Sequence, residues 1–331
     1  MDGMSSGLVG EIVREPEYLS EIDAGPVVSS FPLRSRAARQ HTLGNAISCT
    51  GVGLHSGQPV TLTLRPAAED AGVLFCRTDL GQTFPAGYDS VIDTRLCTVV
   101  APGSCPEARV ATVEHLMAAL SACGIDNVLV ELDGPEVPVL DGSSAPFVFL
   151  IDCAGRVEQS APRGVIEVLK SVRVEHEGAF AELRPSHGAG LSLSLSIAFE
   201  APAIGCQAYT MRLSEQGFRN ELADCRTFTL RSEIEALRQA GLARGGSLDN
   251  AVVVDGGSVL NPAGLRRPDE FVRHKMLDAI GDLALAGHPL RGVFIGHCSG
   301  HGLNNRLLRA LLADRSAWRL SGSAHLEQAA A

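Results

Sequence analysis

His274, Asp278 and Asp282 recur at i, i+4 and i+8 in FVRHKMLDAIGDLALAG, residues 271–287. Around them Phe271, Met276, Ile280, Leu283 and Ala284 keep helical spacing, and Gly287 offers a stop. One helix therefore carries an imidazole and two carboxylates in a single row. Side chains at i and i+4 project one above the other, which is how a helix supplies two ligands to one metal ion. A solvated face with His–Asp pairs would show the same spacing. The row gains meaning only from what the rest of the chain brings to it.

A second helix bears on it. HLMAALSACGIDNVLVEL begins at His115, and HKMLDAIGDLALAGHPLRGVFIG begins at His274. Each reads as a helix opened by histidine, closed near glycine and followed by a β-branched strand. Upstream, VTLTLRPAAEDAG and AFAELRPSHGAG share an alternating strand, Leu-Arg-Pro and a turn. This repeat is too long for a solenoid and implies two similar α/β domains. Pseudo-symmetric packing of the halves would face the two helices across one cleft, with His115 near His274 and Asp278. Two His and one Asp suit a catalytic zinc site that leaves one position for water, and iron(II) competes for the same donors. Glu114, beside His115, is then a candidate base for water activated there. A first-turn Glu favoured by the helix dipole is the plainer reading. No HExxH stretch occurs, so a zincin protease helix is absent.

His301 lies between glycines in HCSGHGLNNRLLRALLA, where a strand over 292–297 meets a helix from about Leu303. A histidine there is poor core material. It could donate a proton to a leaving group, with Asp282 orienting it and keeping it protonated. His55, in the turn GVGLHSGQ, is a further candidate, and His297 reads as an end-of-strand residue. His41, His176, His187, His288 and His325 have no partner motif and are expected to be structural or exposed.

The chain that must position these groups has 331 residues, 45% hydrophobic and 20% charged, which suggests two globular domains. A net charge of -10 with no basic tract argues against nucleic acid as a partner. No apolar run is long enough to span a bilayer. The nine cysteines include no CxxC pair, so reduced thiols in a cytoplasmic protein are expected. Residues 1–37 carry acidic charge early and lack an apolar signal-peptide core, and they are expected to form a disordered extension. The first α/β domain is placed at 38–160, the second at 165–320, and a flexible tail at 321–331, with the polar AGRVEQSAPRG at the junction. The second half also holds an insert, CRTFTLRSEIEALRQAGLARGGSLDNAVVVD, with a helix over 230–240 and a short strand over 251–254. An insertion on one copy of a duplicated scaffold is a natural seat of specificity.

Seven stretches then stand in order: TGVGLHSG, TVEHLMAAL, GIDNVLVEL, PVLDGSSAPF, CRTF, FVRHKMLDAIGDL and SGHGLNN. Together they resemble the family of UDP-3-O-acyl-N-acetylglucosamine deacetylases, zinc amidases of bacterial lipid A synthesis. The resemblance implies two α/β domains with the sheets outside and the helices sandwiched between them. It also implies release of acetate from the UDP-linked, 3-O-acylated sugar by a cytoplasmic enzyme, expected to be a monomer. Zinc would be held by His115, His274 and Asp278, with iron(II) possible. Glu114 would be the general base, and Asp282 would hold His301, which would assist breakdown of the tetrahedral intermediate. Thr227 would hydrogen-bond the oxyanion, and Lys275 would lie near the diphosphate or the oxyanion. Phe228 would lie near the nucleotide-sugar end. The insert would form a hydrophobic passage for the acyl chain, using Ile234, Leu237, Leu242, Ala243, Leu248, Ala251 and Val253. Cys298 departs from the family pattern, since a basic residue is frequent before SGH. Two other readings fit the bare residue pattern: a zinc amidohydrolase acting on another N-acetyl sugar, and a ribosomal-S5-like binding module with structural histidines.

Overall fold

Strict alternation of apolar and polar residues builds the sheets. In Leu191–Ala198, LSLSLSIA, each Leu and the Ile is buried while the serines face outward. The structure, a computed structural model, describes residues 38–322. The expectations for the extension 1–37 and for all but the first two residues of the tail lie outside the described residues.

Two sheets repeat one topology. The first runs, in spatial order, Ile47–Val52, Pro59–Pro66, Val128–Leu132, Val73–Arg77 and Gln82–Pro85. The second contains Val172–His176, Ala179–Arg184, Leu290–His297, Leu191–Ala198 and Cys206–Arg212 in the corresponding places. Along both, successive pairs are antiparallel, antiparallel, parallel and antiparallel. The sequence repeat is therefore a repeat of strand order. Val165–Val168 and Trp318–Ser321 extend the second sheet.

Among the described residues six α-helices are interspersed with the strands: α1 (Glu114–Ala122), α2 (Ala145–Ala154), α3 (Glu215–Glu221), α4 (Arg231–Gln239), α5 (Glu270–Ala284) and α6 (His301–Ala313). Helices α1 and α5 pack on each other between the sheets. Both are covered almost all round, as a helix in the middle of three layers must be. His274, Asp278 and Asp282 are 2%, 4% and 2% exposed, which rules out the solvated-face reading of the row.

The crossing of α1 and α5 depends on Gly281. A Cβ at this position would sit 2.0 Å from the backbone oxygen of Glu114. Backbone cannot yield as a flexible side chain does, so Gly281→Ala is expected to push the helices apart. Overpacking of this kind costs about 1–3 kcal/mol, and here it also moves Glu114 and His115. A fall in Tm together with loss of activity is the expected result. An alanine variant with wild-type Tm and turnover would show that the crossing tolerates a methyl group.

Three boundaries differ from the sequence reading. Helix α5 begins at Glu270, so His274 stands in its second turn rather than at its start. The buried Glu270 carboxylate accepts hydrogen bonds from Arg226 and from the Arg266 backbone, and this anchors the earlier turn. Helix α6 begins at His301 itself, directly after the extended Gly300. The polar stretch at the junction contains a strand, Arg156–Pro162, paired antiparallel with Arg39–Leu43. The Arg156–Pro162 strand buries no residue, so it carries little of the apolar pattern that marks the others.

Candidate metal centre and catalytic cluster

Helix α1 contributes Glu114 and His115 at its first two positions, and both are buried. The Ser144 hydroxyl donates to the backbone oxygen of His115 at 2.7 Å and ties this turn to the start of α2. From α5, His274 and Asp278 face the same point. The Nε2 atoms of His115 and His274 lie 3.5 and 3.3 Å from Asp278 Oδ1. The imidazoles meet edge to face with centroids 4.9 Å apart.

These residues fit a divalent cation. Their ligand atoms lie within 4.8 Å of one another. His274 Nδ1 donates to the Cys225 carbonyl at 3.0 Å, which leaves Nε2 as the free lone pair. Burial pushes the His274 imidazole down to about 4, so it is neutral at pH 7. Asp278 Oδ1 is buried without a hydrogen-bond partner. An orphaned carboxylate oxygen is costly unless a cation meets it. Burial would raise the Asp278 carboxyl, but His274 and Lys275 outweigh it and hold the group well below the usual range. Lys275 Nζ reaches the other oxygen, Oδ2, at 3.0 Å. Burial opposes the Lys275 charge, and the Asp278 carboxylate overcomes it.

A second titratable group, His301 with Asp282 and Glu114, flanks this cluster. His301 Nδ1 lies 2.9 Å from Asp282 Oδ2, and its Nε2 lies 3.9 Å from Glu114 Oε1. Burial would lower the imidazole, but Asp282 and Glu114 together raise it to about 9. Glu114 itself is pushed upward by burial, against the pull of His301 and His115. Glu114 and His301 thus face each other from opposite halves of the chain.

Beside the cluster lies a cavity of about 490 Å³. Thr227, Phe228, Ile234, Leu237, Ala243, Leu248, Ala251 and Val253 line it, with His55 and Leu96 from the first half. Leu242 is not among its lining residues. The Phe228 ring is 6.3 Å from the His274 ring and 5.0 Å from Phe271, so it joins cavity to cluster. Helix α4 buries no residue. Its Ile234 and Leu237 line open space rather than fill the second domain's core. Both ring nitrogens of His55 lack a hydrogen-bond partner, and burial lowers its pKa. The Glu136 carboxylate fixes its turn through the backbone N–H groups of His55 and Ser56.

Glu114, His115, His274, Lys275, Asp278, Asp282 and His301 therefore lie in the cluster, and Thr227, Phe228, Ile234 and Ala251 along the cavity, whereas Leu242 does not line it. Sequence reasoning passed over Thr98, Glu136, Ser144 and Asn304. Asn304 stands three positions after His301, a helical spacing that could have flagged it, and its Nδ2 donates to Asp282 at 2.9 Å. Thr98 and Ser144 have no such signal, because their partners are remote in sequence.

Comparison with known proteins identifies the family. Residues 40–313 match the family model described as LpxC, UDP-3-O-acyl N-acetylglycosamine deacetylase. A UDP-3-O-acyl-N-acetylglucosamine deacetylase of Phenylobacterium zucineum is 51% identical over 284 residues, covering 85% of this chain and 96% of that protein. Proteins of the same name from Actinobacillus succinogenes and Pasteurella multocida are 50% and 51% identical. They cover 86% and 85% of this chain, and 93% and 92% of their own lengths. The chain belongs to the LpxC family of UDP-3-O-acyl-N-acetylglucosamine deacetylases.

Proposed function

We propose that this chain hydrolyses the N-acetyl group of UDP-3-O-acyl-N-acetylglucosamine, releasing acetate in the committing step of lipid A biosynthesis. The orphaned Asp278 Oδ1 between two imidazoles carries the chemistry of this reading. His115, His274 and Asp278 would hold zinc, with iron(II) as the alternative for the same nitrogen and oxygen donors. When bound, the metal supplies Lewis acidity that acidifies water and polarises a carbonyl. Glu114 takes a proton from the attacking water as the oxygen bonds to the acetyl carbon. Thr227 and Lys275 meet the negative charge that develops on the carbonyl oxygen. The C–N bond then breaks as His301 gives its proton to the departing amine, and Asp282 keeps the imidazole oriented. Phe228 would contact the sugar end of the substrate. The enzyme is read as a monomer of the cytoplasm. Among the described residues no helix is long and apolar enough to cross a membrane.

The cavity beside Phe228 would take the acyl chain. Each buried CH₂ contributes about 0.8 kcal/mol, so several carbons carry orders of magnitude in binding. That remote binding also positions the acetamide for attack. Purified protein is expected to release acetate from the acylated UDP-sugar, with kcat/KM falling steeply as the chain is shortened. Ala251→Phe, inside the cavity, is expected to penalise long chains more than short ones. Overpacking alone would lower stability and depress every chain length equally. A length-independent loss would remove the cavity from substrate selection. Absence of acetate release by wild type would remove the activity itself.

A further inference from the structure

Thr98 is only 1% exposed and stands just before the Val99–Val100 strand of the first half. Its backbone N–H donates to Glu114 Oε2 at 3.0 Å. Its hydroxyl donates to Asp282 Oδ1 at 2.6 Å. One residue thus grips a carboxylate on α1 and another on α5. Asp282 in turn meets His301 Nδ1, and His301 Nε2 faces Glu114 Oε1. The four residues close a ring across the two halves.

We propose that Thr98 is a positioning residue for proton transfer, setting Glu114 and His301 at their working separation by orienting the carboxylate behind each step. This rests on the reading of those two residues as base and acid. A carboxylate torsion is broad and roughly two-fold, so an ungripped Asp282 could turn. Asn304 holds Oδ2 from within the second half, whereas Thr98 holds Oδ1 from the first. Without the hydroxyl, the Asp282 plane is referenced only to its own half. The His301 ring then loses its fixed bearing on Glu114. Displacements of about 1 Å at reacting groups cost on the order of 10²-fold in rate.

Thr98→Val removes the hydroxyl and keeps both bulk and the backbone donor to Glu114. Its kcat is expected to fall roughly 10–100-fold, the usual cost of losing an orienting partner behind a working group. KM should stay within about threefold, because ground-state binding is untouched. Metal content should match wild type. Thr98→Ser should restore kcat, and Thr98→Ala, which removes the same donor without added bulk, should repeat the valine result. A purely structural pin would behave otherwise in a double-variant cycle. If Thr98 acts through His301, then Thr98→Val should cost nothing further in a His301→Ala background. Wild-type kcat in the valine and alanine variants overturns the proposal. So does a serine variant as slow as valine, or a loss that multiplies in the His301→Ala background. If His301→Ala and Glu114→Ala are themselves fully active, the acid–base reading has failed instead, and the two failures are told apart.

Discussion

His274→Ala is expected to empty the metal site and abolish acetate release together. The Cys225 carbonyl holds the imidazole with Nε2 turned to Asp278 Oδ1. With it gone, only His115 and Asp278 of the three candidate ligands remain. A bound metal contributes several kcal/mol to the transition state, and each 1.36 kcal/mol is tenfold in rate. The expected loss in kcat/KM is therefore at least about 10³-fold. Metal analysis of purified protein should find close to one zinc or iron per chain in wild type and little in the variant. A His115→Ala, Asp278→Ala double variant that retained full metal occupancy would overturn the ligand assignment.

Glu114→Ala and His301→Ala should behave differently from the ligand variants. Neither side chain belongs to the three-ligand group, so metal content should persist while kcat falls. General acid or base assistance contributes about 10²–10⁴-fold, and each variant should lose an amount in that range. The pH profile separates their roles. Burial raises Glu114, so the base is lost as pH falls through its elevated pKa, and this sets the acid limb. His301 must be protonated to act, so activity is lost as pH rises through its own value. That value is held up to about 9 by Asp282 and Glu114, against an ordinary 6.5. A dication at the neighbouring ligands would pull it down, which places the alkaline limb below about 9. The acid limb should flatten in Glu114→Ala and the alkaline limb in His301→Ala. Wild-type kcat in either variant would remove that residue from the mechanism.

The sequence alone determined the parts of this protein that rest on local periodicity. Alternation in LSLSLSIA marks a strand, and the His274–Asp278–Asp282 spacing marks one helix face, because both depend only on pitch. The Leu-Arg-Pro and histidine echoes marked the duplication, because equal local patterns build equal strand orders. Family motifs then implied roles that spacing alone left open. What the tertiary structure decided are relations between residues distant in the chain. Nothing local to Gly281 says that Glu114 backbone will press against it. The apolar residues of α4 could equally have filled a core, and only the tertiary structure places them along unfilled space. The same holds for Thr98, which holds Glu114 through its backbone N–H and reaches Asp282, 184 positions away, through its hydroxyl. A hydrogen bond between remote residues leaves no periodic trace in sequence, since its partners are brought together only when the two halves pack.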